Sequence, residues 1–137
     1  MSVEADIHIA LMARAEEMAT ALDYPVLWPQ KGGDIPAGEH IAVFHLPNDN
    51  QPADLSSDVM RRQGFLVITL VSPLGVYEAV TKQKAGAIAG YFRRASRLFT
   101  NRHDSTIVTI TGHSVRTGRQ EGQRWETPIY ISYQTTA

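Results

Sequence analysis

The residues able to carry chemistry are few, and their spacing works against them. His40 and His45 lie five apart in His40-Ile-Ala-Val-Phe-His-Leu-Pro47, so on a continuous strand they face opposite sides and cannot share a metal without a third element. Asn48-Asp49-Asn50 offers oxygen ligands but lacks the glycine and distal glutamate of a calcium loop. His103-Asp104-Ser105 holds the residue types of a hydrolase triad, yet sequence neighbours cannot converge on one reacting atom, and Asp-Ser is ordinary turn chemistry. Arg93-Arg94-Ala95-Ser96 has the form of a kinase-type basic site, but it falls in a helix predicted to turn Ala95 to the core, where its charges form a solvated face. The phosphate loop, the dinucleotide glycine pattern, the nucleophile elbow and the His-Glu-x-x-His zinc motif are all missing. With no cysteine, thiolate zinc sites, iron–sulfur clusters and thiol nucleophiles are excluded. No catalytic, cofactor-binding or metal-binding residue is assigned.

What the chain does have is charge, and the charge is divided. Up to Met60 there are two basic residues and ten acidic ones, a balance of −8; after it there are eleven basic and four acidic, a balance of +7. A near-neutral chain can thus carry two opposed fields. Asp49, Asp54 and Asp58 lie in or beside a loop, Arg61 and Arg62 open a strand, and Arg116, Arg119 and Arg124 line a late hairpin. One reading is that the fold interleaves the two parts and the charges serve solubility, since an exposed ion pair contributes only about 0–1 kcal/mol. A second is that identical copies associate head to tail, acidic side against basic side. A third is nucleic-acid binding by Arg61, Arg62, Arg93, Arg94, Arg97, Arg116, Arg119 and Arg124, with Tyr91 or Tyr130 stacking on bases. A small-ligand pocket near Trp28, Tyr91 and Trp125 is the fourth.

The elements that must position these residues follow from periodicity. Val3, Ile7, Leu11, Ala15, Met18 and Leu22 recur at spacings of three and four and predict a helix over residues 2–22, stopped at Asp23-Tyr24-Pro25. Val26 to Trp28 is a short extended piece. His40 to Leu46 is a strand apolar on both faces, expected to be central or covered on both sides. Pro47 to about Leu55 is an acidic loop broken twice by proline. From about Val59 to Ser72 the chain is extended again. A second helix is predicted from about Val76 to Phe99, with Arg93, Arg94 and Arg97 in its last turns and with Gly86 and Gly90 marking close packing on the sheet. Thr106 to Thr111 and Arg124 to Tyr133 then form an antiparallel hairpin across a segment, Gly112 to Gln123, too long for a tight turn. Pro128 marks an edge or a bulge. The order α-β-β-β-α-β-β predicts an α+β fold, two helices on a mainly antiparallel sheet.

At 137 residues and 15.2 kDa, with 43% apolar and 20% charged residues, the chain is expected to form a single domain over 1–137 with a core of its own. Its longest uncharged stretch, Gln63 to Tyr77, is too short to span a bilayer as a helix and contains Pro73 and Gly75. Met-Ser-Val-Glu lacks the basic opening of a signal peptide, so a reducing cytoplasm is the expected compartment.

Along nearly its whole length the chain resembles the tail terminator proteins of long-tailed bacteriophages and prophages, also called tail completion or minor tail proteins. The resemblance rests on the first helix ending in Tyr24-Pro25-Val26, the strand His40 to Pro47, the acidic loop and the opening Arg61-Arg62-Gln63-Gly64-Phe65-Leu66-Val67-Ile68. It continues through the Ser72-Pro73-Leu74-Gly75 break, the Gly/Ala-rich second helix and the strand Trp125 to Tyr133. It implies a structural protein without a catalytic centre or cofactor. Such a protein binds the growing end of the tail tube, assembles there as a ring, usually of six copies, ends polymerisation and prepares the head-joining surface. The implied partners are further copies of itself, the tail tube protein and a head–tail neck protein, with no membrane and no specific nucleic acid. The implied locations are the host bacterial cytoplasm during assembly and then the virion tail. Another neck or tail component of similar fold is the alternative. Asp49, Asp54, Asp58, Arg116 and Arg119 become, by position, the places for ring or tube contacts, bordered by Arg61, Arg62 and Arg124.

Overall fold

The computed structural model describes residues 3–28, 35–48, 51–52, 60–75, 77–99 and 107–136. Helix α1 (Val3–Leu22) buries Ile7, Leu11, Ala15 and Met18, as their spacing predicts, together with Ala10 and Ala19. Glu4 and Asp6 occupy its first turn, where the helix dipole favours acids. It ends in a Schellman turn: Asp23 adopts a left-handed φ of 60°, the Tyr24 N–H returns to the Ala19 carbonyl at 2.9 Å, and Pro25 bars continuation.

The strands are β1 (Val26–Leu27), β2 (His40–Pro47), β3 (Gln51–Pro52), β4 (Met60–Pro73), β5 (Arg97–Phe99), β6 (Ile107–Val115), β7 (Arg119–Glu121) and β8 (Arg124–Thr136); helix α2 (Glu78–Ala89) lies between β4 and β5. Among the described residues they form one sheet in the order β1-β2-β4-β8-β6-β5, with β3 beside β4 and β7 beside β8. Only β1 and β2 run parallel; the other pairs are antiparallel. The α+β class and the order α-β-β-β-α-β-β are therefore present, with β3, β5 and β7 as short additions.

Alternation divides the sheet into two unlike faces. On one, Leu66, Ile68 and Leu70 of β4 lie opposite His45, Val43 and Ile41 of β2, while Leu66 and Ile68 lie opposite Ile131 and Ile129 of β8. Both helices pack here: α1 against β2, β5 and β6, and α2 against β4, β6 and β8. The resulting core includes Leu11, Met18, Ile88 and Phe92. The other face has no helix among the described residues, and Phe44 stands 56% exposed on it. Of the two expectations for β2 the structure bears out the central position, between β1 and β4, while its outer face has no helix over it among the described residues.

Helix α2 ends far short of Phe99. Gly90 closes it, and Ala95 takes a left-handed φ of 70° that reverses the chain. The Ala95 N–H donates to the Ile110 carbonyl at 2.7 Å and the Ile110 N–H to the Ser96 carbonyl at 2.9 Å. Leu98 is consequently buried as a strand residue opposite Val108, while Ala95 is exposed rather than facing the core. Neither helix glycine marks close packing on the sheet, since Gly86 faces open space and Gly90 is the C-cap. The hairpin is also tighter than expected. β6 continues to Val115, β7 pairs with β8, and Gly122-Gln123 alone connects Glu121 to Arg124, with Gly122 at the positive φ of 60° that such a turn requires. Pro128 sits inside β8, where β6 gives way to β7. Its carbonyl accepts from the Arg116 N–H at 2.8 Å, so its missing donor faces that interruption; β8 is an interior strand and the register shift falls at Ile110/Gly112, which corrects the edge or bulge expected at Pro128.

Candidate functional site

Among the described residues, two cavities and one open face are places where this fold could act. The first cavity, about 300 Å³, lies between the start of α1 and strands β2, β4 and β8, lined in part by Ile7, His8, His45, Arg62 and Tyr133. Gly64 makes room beside it: a Cβ there would fall on the Leu46 carbonyl and the Tyr133 hydroxyl. The His45 Nε2 and the Tyr133 hydroxyl are 2.6 Å apart, and the His45 and His8 Nδ1 atoms 3.2 Å. The imidazole centroids are 5.4 Å apart. The nitrogens thus point at one another, as an N–H···N hydrogen bond requires and a shared metal would not allow. Burial, and secondarily the charge of His8, push the His45 pKa down to about 4; burial pushes Tyr133 up to about 12. A neutral imidazole with both nitrogens engaged has no lone pair left for a substrate. At the rim, the Arg62 Nε donates to Glu4 at 3.0 Å. This is a satisfied polar joint between α1 and the sheet, and no group of three or more metal-ligating side chains occurs among the described residues.

The second cavity, about 260 Å³, is lined by Ala37, Gly38, Ser72, Pro73, Gln123 and Arg124. Arg124 reaches the Ala37 carbonyl at 3.3 Å and approaches the His40 Nδ1 at 3.5 Å. His40 is buried and faces away from His45, as their spacing predicts. Beside this cavity Lys84 of α2 holds Glu39 at 3.0 Å. Burial and Glu39 raise the pKa of nearby Tyr24, with Lys84 opposing.

The open face is different in kind. Register carries two rows across the sheet, Phe44–Val67–Tyr130–Ser114 and Leu46–Phe65–Ser132–Gly112. The Phe65 and Tyr130 rings meet edge to face with centroids 5.6 Å apart, and the Arg116 guanidinium lies 4.3 Å over Tyr130. An exposed apolar patch bordered by cations is the signature of protein contact.

The residues proposed from sequence separate by role. Arg116 and Arg119 are exposed and lie together at the β6–β7 end, Arg119 loosely paired with Glu121 at 3.7 Å. Arg62 and Arg124 are turned into the chain's own contacts. Arg61 lies in β4 opposite Gln51 and Thr136. Asp49, Asp54, Asp58 and the triplet His103-Asp104-Ser105 fall outside the described residues. Arg93, Arg94 and Arg97 are exposed, but in the turn and strand after α2 rather than at a helix end. The arginines offered for nucleic acid are therefore not one stripe, and Tyr91 packs on the core. Sequence reasoning misses the apolar rows of the open face as a surface, although the alternation of Ala42, Phe44 and Leu46 is their signal.

A small α+β protein with an apolar outer face bordered by Arg116 belongs to the class that works by binding other proteins. The chain matches the family model for the phage tail terminator protein over residues 6–133 and belongs to that family, which makes it a structural component of a phage tail, associated with other tail proteins. One similar solved chain, identified only by a sequence number, has a TM-score of 0.72 at 19% identity, over 94% of this chain and 92% of that one. Another belongs to the virion of a native gene transfer agent particle, with a TM-score of 0.62 at 12% identity, over 99% of this chain and 98% of that one. At these identities both show the fold. No curated protein matches the chain. No helix is long and apolar enough to cross a membrane among the described residues.

Proposed function

We propose that this protein, as one domain spanning residues 1–137, caps the tail tube. Copies associate head to tail into a ring of six on the last layer of tube protein, end polymerisation and present their other side to the neck protein that joins the head. Assembly takes place in the host cytoplasm, and the role is structural, without catalysis. The family match over residues 6–133 carries this reading. The exposed Arg116 and Arg119 supply the basic contact, and the acidic stretch of Asp49, Asp54 and Asp58 is its proposed counterpart in the neighbouring copy or the tube. Arg62 and Arg124 hold the strands that border these contacts, and Arg61 opens β4 beside them.

The double substitution Arg116→Glu/Arg119→Glu tests it. Both side chains are exposed and the intramolecular contact at stake is that of Arg116 with the Tyr130 ring, so the fold is expected to lose no more than about 1 kcal/mol. Tails assembled with the variant are expected to be over-length and uncapped in electron micrographs; tails of wild-type length would overturn this contact.

A further inference from the structure

Among the described residues, both edges of the sheet are left unfinished. At one end, β1 pairs with β2 only at Ile41 and Ala42. The Ile41 N–H donates outward to Pro25 and the Asn48 N–H inward to Gln63. By alternation, the His45 amide and carbonyl point outward past the end of β1. At the other end, β5 covers β6 from Ile107 to Thr109, and the Ala95–Ser96 turn covers Ile110. The Arg116 N–H points inward to Pro128, so the backbone groups of His113 and Val115 point outward. None of these outward groups has a hydrogen-bond partner among the described residues.

We propose that β6 of one copy pairs with β2 of a second copy, so that the sheets of neighbouring copies join edge to edge. This rests on the ring reading and names its seam. Three observations favour the second copy as occupant. First, strand direction alternates along β2, β4, β8 and β6. A following copy related by rotation thus places its β2 antiparallel to β6, and the alternation continues across the seam. Second, the outer-face rows begin in large side chains at β2, Phe44 and Leu46, both exposed, and end in small ones at β6, Ser114 and Gly112. Joining the edges sets large beside small, where a symmetric pairing of two β2 edges would crowd the rings. Third, Arg97 on β5 and Arg116 just past β6 set cations beside the β6 edge, whereas β2, His40 to Pro47, contains no lysine, arginine, aspartate or glutamate, so joining the two edges brings no like charges together. The contact is heterologous, the kind that closes into a ring, and backbone pairing supplies its register as in β-augmentation.

The chain has no cysteine, which makes crosslinking a direct test. Particles are produced with the Phe44→Cys/Ser114→Cys variant in place of wild type and treated with a short bismaleimide, and each single-cysteine variant serves as control. A ladder from dimer up to the closed ring, present only with both cysteines, is expected. If the variant is incorporated into tails in several copies and gives no ladder, the edge pairing is overturned while the ring reading stands. If wild-type chain is itself absent from tails, both fall. Should the variant fail to fold, hydrogen exchange on wild-type chain decides between the same outcomes. The amides of His45, His113 and Val115 are expected to slow at least tenfold on assembly, and unchanged exchange in assembled material overturns the seam.

Discussion

His45 lies between the Tyr133 hydroxyl and His8, its pKa pushed down to about 4 against an ordinary 6.5. Between those values the unfolded chain binds a proton that the folded chain refuses, so the contribution of His45 to stability is complete above about pH 6.5 and is lost as pH falls toward 4. His45→Gln is therefore expected to flatten the decline in melting temperature between pH 6.5 and 4; identical slopes in variant and wild type would contradict the buried neutral imidazole. Two backbone positions should respond with opposite signs. Ala95→Gly relieves a left-handed residue at φ 70° and is expected to stabilise by about 1 kcal/mol in denaturant unfolding. Gly64→Ala drives a methyl onto the Leu46 carbonyl and Tyr133 and is expected to cost about 1–3 kcal/mol. Of these positions, only His45 stands out in the sequence, and there as a metal ligand to be weighed. Its partners lie 37 and 88 residues away, and no local pattern encodes such a pairing.

The long elements are legible because one face of each is buried by period. α1 reads off its three-and-four spacing, β2 and β4 off their runs of apolar, strand-favouring residues, and β8 off its alternation. The segment from Tyr91 to Phe99 is not, because Phe92 and Leu98 satisfy a helical stripe and a strand equally well, and the decision is made by Ile110 hydrogen-bonding the Ala95–Ser96 turn. Polarity misleads in the late hairpin: strand residues such as His113, Ser114 and Gln120 look like a loop when their outer sides meet solvent. Apolarity misleads on the open face, since Phe44 and Leu46 read as core. Phe44→Lys checks that face as an element of assembly. Because the ring is exposed, the monomer is expected to unfold within about 0.5 kcal/mol of wild type, while association weakens at least tenfold in sedimentation; unchanged association would remove the face from the contact.

For the whole molecule, the fold partly interleaves the division of charge along the chain: α1, with Glu4 and Asp6, packs against β5 and β6 as well as β2, and Glu4 and Glu39 pair with Arg62 and Lys84. Family membership is legible in the order and texture of the elements. The contact residues are less so, because Arg62 and Arg116 differ in what they touch rather than in type. The most direct measurement is sedimentation velocity of the purified chain across concentration, at low and high salt, with and without cognate tail tubes. A ring-sized species that grows with concentration, weakens with salt and co-sediments with tubes is the predicted result. A monomer under every condition that never co-sediments with tubes would contradict it.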